Sequence, residues 1–277
     1  MNFTDRFING LLSFFLSAIL IVLLIVAAIS TSIFNQNTVI NKFTSVSYCQ
    51  NVFENILQKA DGISIPSGVD KSIIEDVITF EKVQKDAFTY ITKAFDGVNY
   101  DFNDAQMRSQ IVKNITYKYN LQGIEITQEL SDSINIFAEQ IINIYTDTIS
   151  LDYLHVFVKA SNMFNKYKFV VYGVSAVFAA INFTMLFVFN KYKHRALRQI
   201  AIGFSTASLF GILMSIFGAF TPFYKNLNFA PYYFNDISAA FISKFFVVSL
   251  TYSFMFFALN LAIYVLIWKT RRIAKIK

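Results

Sequence analysis

The chain has 277 residues, 24 Lys and Arg against 18 Asp and Glu, and a formal charge of +6. Hydrophobic residues make up 55% and charged residues only 15%, where a soluble domain carries about 25% charged residues. That balance points away from a soluble enzyme. A single cysteine, Cys49, excludes an intrachain disulfide framework and a thiolate-built metal site.

Phe occurs 32 times against 3 Pro and 9 Gly, which suits lipid-facing helices. Crossing about 30 Å of hydrocarbon takes roughly 20 apolar residues as a helix. Four stretches meet this: about Leu11 to Phe34, Phe169 to Phe189, Ile200 to Phe220 and Phe245 to Trp268, none holding Asp, Glu, Lys, Arg or His. The first outruns a signal-peptide core of about 7–15 residues and has no small-x-small cleavage box, so it reads as an uncleaved anchor.

Lys and Arg set the orientation. Three short segments carry Arg6; Lys191, Lys193, Arg195 and Arg198; and Lys269, Arg271, Arg272, Lys275 and Lys277, with Asp5 their only acid. The long segment between the first two spans holds most of the acids, among them Glu75, Asp86, Asp101, Asp104 and Glu129. Both termini and the short basic loop are therefore expected in the cytoplasm of a cell membrane, with residues 35–168 outside. The scarcity of cysteine in so large an outer segment favours a bacterial source. The basic edges fit anionic lipid headgroups; no cytoplasmic segment is long enough to fold a nucleic-acid-binding face.

The expected fold class is an all-α membrane protein: four transmembrane helices, with a helical extracytoplasmic bundle between the first and second spans. Within that bundle, Asn35 to Lys59 reads as a continuation of the first span. Gly62, Pro66 and Gly68 then break the helix between Ala60 and Gly68. Val69 to Phe95 reads as one helix, on the stripe of Ile73, Val77, Phe80, Ala87, Ile91 and Ala94. Asp104 reads as the N-cap of the next helix, which runs to about Tyr119. Leu130, Ile134, Phe137, Ile141, Ile144, Thr148 and Leu151 give the cleanest pattern, and predict a near-continuous helix from about Gln128 into the second span, bent near Ser150–Asp152. Span, helical bundle, span is similar in layout to the sensor domains of bacterial receptors. The nine residues after Trp268 carry no expectation of a kinase or signalling coil.

Ionisable groups at membrane depth mark transport and relay chemistry, and the four apolar stretches contain none. Asn182 and Asn260 are expected to hydrogen-bond between helices. Gly203, Ala207, Gly211, Ser215 and Ala219 recur every four residues, a strip that lets helices approach closely, either within the chain or against a second copy or another membrane protein. Outside, Asp152 and His155 stand three apart on a helix, the spacing of a carboxylate-oriented base, without an assignable nucleophile. NYDFND, Asn99 to Asp104, alternates oxygen ligands as a calcium loop does but lacks the Gly and Glu such a loop needs, so it reads as a capped turn. Between the third and fourth spans, Phe223, Tyr224, Phe229, Tyr232, Tyr233 and Phe234 crowd around Pro222 and Pro231, as an interfacial belt or a contact surface for lipid or peptide.

These features favour a non-enzymatic membrane scaffold or accessory subunit. Its outer helices would bind a protein or envelope ligand, and its partners would be membrane lipids and either a membrane protein or a second copy. Neither a cofactor nor a metal is expected. The rival readings are an envelope enzyme acting on lipid or lipid-linked substrate at the outer surface through Asp152, His155 and the Tyr-rich hairpin, and an oligomeric pore or lipid conduit with a polar path through Asn182 and Asn260.

Overall fold

The computed structural model describes residues 3–151, 153–221, 223–226 and 233–276, and the side chains of 6–151, 153–221, 223–226 and 235–272. The described residues are helical with short connections and no strand. Four helices are long and apolar enough to cross a membrane, falling in Arg6–Thr31, Gln128–Phe189, Lys193–Phe220 and Asn235–Arg272. The chain divides into a spanning unit, Met1–Asn35 with Ser161–Lys277, and a helical unit, Gln36–Ala160.

In the spanning unit, α1 (Phe3–Thr31), α8 (Leu154–Phe189, from Ser161), α9 (Lys193–Phe220) and α10 (Tyr233–Ile276) surround a core of Leu12, Leu16, Leu20, Leu186, Ile200 and Ala207. Side-chain pairs fix their directions. Asn190 donates to Asn9 at 2.6 Å, and Lys168 donates to Ser30 at 3.1 Å, so α8 runs opposite to α1. Leu16 lies against Gly203 and Leu24 against Gly211, so α9 runs with α1. Ser205 meets Asn260 and Gly218 meets Phe246, so α10 runs opposite to α9. Strict alternation of direction is what four consecutive crossings of one bilayer require.

In the helical unit, α2 (Gln36–Phe43), α3 (Val46–Ser67), α4 (Ser72–Glu75), α5 (Phe80–Phe95), α6 (Asp104–Leu121) and α7 (Gln128–Ile149) pack around their own core. Its fully buried members include Val39, Ile56, Ile74, Ile78, Ile111, Ile115, Ile141 and Tyr145. Helix α7 packs on α3, α5 and α6. It starts at Thr127, whose side chain accepts the Leu130 N–H at 3.3 Å, an N-cap that satisfies one orphan donor of the first turn.

Several helix boundaries differ from those the sequence predicts. The first span does not continue to Lys59: α1 ends at Thr31, and α2 is separated from α3 at Thr44–Ser45. Thr44 and Ser45 hydroxyls bond the Ile40 and Lys42 carbonyls at 2.8 and 2.7 Å, local bonds that compete with helix continuation. Helix α3 runs through Gly62 and Pro66 to Ser67, because Ile56, Ala60 and Ser64 are buried one turn apart. It stops at Gly68, whose φ of +69° closes the helix. The stretch from Val69 to Phe95 is two helices, since Thr79 is extended and caps α5 through the Lys82 N–H at 3.3 Å. Asn103, with φ +56°, takes the cap position expected of Asp104. The helix expected from Gln128 into the second span parts into two at its expected bend: α7 ends at Ile149, Ser150 is extended, and α8 begins at Leu154.

Candidate functional site

The small-residue strip of α9 is occupied from within the chain. A Cβ at Gly203 would lie 2.9 Å from the Leu16 side chain, and one at Gly211 would overlap the Ser253 hydroxyl. Ala207 and Ser215 are buried beside them, and Ser208 donates to the Ser253 carbonyl at 3.0 Å. Ala219 is exposed, and Gly218 instead faces the Phe246 ring. A four-residue step overshoots the 3.6-residue turn, so after three such steps the buried face is recovered by a step of three. Helices α1 and α10 thus cover the strip that sequence alone left open to a second copy or partner.

Two polar ties hold the spanning unit at its ends. Near the basic loop, Asn190 bonds Asn9, and Ser13 donates to Gln199 Oε1 at 2.8 Å. At the opposite end, Lys168 bridges Ser30 and Asn165 Oδ1, while Asn165 donates to the Phe34 carbonyl at 3.3 Å. Midway, Asn260 donates to Ser205 at 2.7 Å, and Asn182 is buried on α8. Beside the basic loop, Arg195 lies over the Tyr192 ring at 5.2 Å, and near the end of α10 Arg272 lies over Trp268 at 3.9 Å. These are cation–aromatic contacts suited to a headgroup boundary.

Of the aromatic hairpin, Phe223 is exposed, while Tyr224 is buried against Phe246, with ring centroids 6.1 Å apart. Tyr224 is thus a packing residue beside the Gly218–Phe246 contact. Phe229 and Tyr232 lie outside the described residues, as do Pro222 and Pro231 and the side chains of Tyr233 and Phe234. His155 is exposed in the first turn of α8, and Asp152 lies outside the described residues. Among the described residues, no cluster of three His, Cys, Asp or Glu could hold a metal ion.

The helical unit contains a polar cluster that the sequence did not reveal. Asp86 on α5 is 5% exposed and accepts the hydroxyls of Tyr145 on α7 at 2.6 Å and of Tyr100 at 2.8 Å, with Lys82 at 3.5 Å. Burial, together with the Asp86 carboxylate, pushes both phenol pKa values far up. Phe102 packs edge-on to Tyr100 and Tyr145. The segment Asn99–Asp104 therefore turns its aromatics inward, and only Asp101 caps locally, through the Asn103 N–H. A carboxylate held among phenols that remain protonated links α5, α7 and the turn before α6; it presents no open reacting centre.

The helical unit also carries an open groove of about 360 Å³, lined by Gly68, Asp70, Lys71, Lys118, Tyr119 and Gln122. Lys118 donates to Asp70, whose carboxyl is held well below the usual carboxylate range, first by that bond and then by the Ser72 N–H. Lys71 pairs with Asp61 at 3.1 Å. Tyr117 and Leu121, one turn apart on α6, are exposed by 65% and 70%, and Ile65 near the end of α3 by 79%.

Comparison with family models, with curated proteins and with solved structures returns no match. The fold and the placement of its side chains define the class: an all-helical protein with four helices able to cross a membrane and a separately packed helical unit.

Proposed function

We propose that this protein is a non-enzymatic membrane scaffold or accessory subunit, anchored by four spans with its basic ends in the cytoplasm. The helical unit is its outer, ligand-binding part. The observation that carries this reading is the open groove beside Gly68 and Lys118, together with Tyr117 and Leu121, exposed one turn apart on α6, the helix that supplies Lys118 and Tyr119 to the groove. Large apolar side chains left exposed one turn apart on a helix that borders a groove suit a contact face. The charged groups in the groove already hold ion-pair partners, Lys118 with Asp70 and Lys71 with Asp61, which fits a protein or envelope polymer docked through apolar contact better than a free ionic ligand.

The covering of the α9 strip by α1 and α10 adds to this. Partner contact moves from the spans to the outer unit, while the exposed Phe169, Val174, Val177 and Phe178 of α8 and Val247, Phe254 and Val265 of α10 face lipid.

The test is a photo-crosslinking residue at Leu121, with Ile216 on the lipid side as control. Irradiation of native membranes should give one discrete larger adduct from position 121 and none of that size from 216. A chain that stays uncrosslinked at 121 and purifies as a lone monomer would remove the proposal.

A further inference from the structure

Two buried amide oxygens of the spanning unit have no hydrogen-bond partner among the described residues: Oδ1 of Asn182 on α8 and Oδ1 of Asn260 on α10. Asn182 is 6% exposed and Asn260 4%. Between membrane helices, an unanswered acceptor has no bulk water to turn to, and it costs free energy unless a bound donor reaches it.

Register places the two on one level. Asn190 pairs with Asn9; eight residues back along α8 is Asn182, and eight forward along α1 is Ser17. Leu16 lies against Gly203, and two residues beyond Gly203 is Ser205, which accepts the Nδ2–H of Asn260. Ser17, Asn182, Ser205 and Asn260 thus lie at one level along their helices, and the side chains of Ser205 and Asn260 are bonded to each other there. Both asparagines border the same core, since Phe183 and Leu186 next to Asn182 and Phe256 and Ile263 next to Asn260 pack into it.

Helix α8 also stands off from its neighbours. The close helix pairs of this unit are α9 with α10, α1 with α9 and α1 with α10, so Asn182 meets the core across side chains rather than at backbone contact.

We propose that this level holds a binding site for one hydrogen-bond-donating guest, an internal water shared by Asn182 and Asn260. A water donates one O–H to each Oδ1. Ser205, which accepts from Asn260, has its own O–H to give to the water oxygen. Three such bonds are the ordinary complement of a buried water. The guest ties α8 to α10 where close packing does not. A lipid hydroxyl entering past Ile181 and Met185, both exposed on α8, would offer the same donor chemistry, and the experiment separates the two sources.

The protein is placed in lipid nanodiscs with Asn side chains labelled with nitrogen-15, and magnetisation is transferred selectively from water and, separately, from lipid. Transfer from water to the amides of both Asn182 and Asn260 is expected. Transfer from lipid alone, or from neither source, overturns the proposal. Independently, Asn182→Leu, Asn260→Leu and the double variant are melted in the same nanodiscs. Each single change should lower the midpoint, and the double should lower it no further than the larger single, because either change strands the shared water. Additive losses, or a midpoint raised by Leu, would overturn it equally.

Discussion

The Tyr145 hydroxyl donates to Asp86 Oδ2 at 2.6 Å, and Tyr145 is fully buried while Asp86 is 5% exposed. Tyr145→Phe keeps the ring and its edge-on contact with Phe102, and removes only the donor. A hydrogen bond to a charged group contributes about 1.5–3 kcal/mol, so the variant should lose about that much in urea unfolding of the helical unit. Tyr100→Phe should lose less, because Tyr100 is only half-buried. Equal losses at the two positions would show that the carboxylate does not favour the buried phenol.

Gly211 lies where α1 and α10 both reach α9, against Leu24 and Ser253. Gly211→Val should push these helices apart, and overpacking of this kind costs about 1–3 kcal/mol. Ala219→Val, one residue from Gly218 on an exposed face, should change little. Thermal melting in detergent measures both, and a Gly211→Val midpoint equal to that of Ala219→Val would contradict the packing assigned to the strip.

Cys49 is fully buried, and desolvation raises its thiol to about 11. A maleimide should therefore label it slowly at pH 8 in the folded protein and rapidly in urea. The folded pKa lies above the unfolded one of about 8.5. The resulting stability is thus fully present below that pH and is lost as pH rises through about 11. The urea-midpoint difference between wild type and Cys49→Ala should shrink across that window. A difference that grew with pH would show that the thiolate, not the thiol, is the favoured buried form.

The four spans were legible in the sequence because hydrocarbon tolerates only long, charge-free runs, and no other feature of the chain mimics them. The strip from Gly203 to Ser215 was legible through spacing alone; its covering by Leu16, Leu24 and Ser253 was not, since spacing names a face but not its occupant. Breaks at Thr44–Ser45 and at Thr79 depend on single hydroxyl bonds, which hydrophobic periodicity does not register. The stripe drawn through Ile144 passed one residue from Tyr145, the deepest large side chain of α7. Asp86 was read with the solvated acids of the outer segment, because a carboxylate enters a core only when donors from distant parts of the chain meet it. Tyr100 and Tyr145 do so from 14 and 59 residues away.

The central claim is a four-span protein whose helical unit lies outside the cell and whose basic loop lies inside. It is tested most directly with Cys49→Ala as background and a single new cysteine at exposed Ser133 or exposed Lys193, treated with a membrane-impermeant maleimide. Ser133→Cys should label in intact cells, and Lys193→Cys only after the cells are permeabilised. Labelling of Lys193→Cys in intact cells, with Ser133→Cys protected until permeabilisation, would reverse the topology and contradict the account.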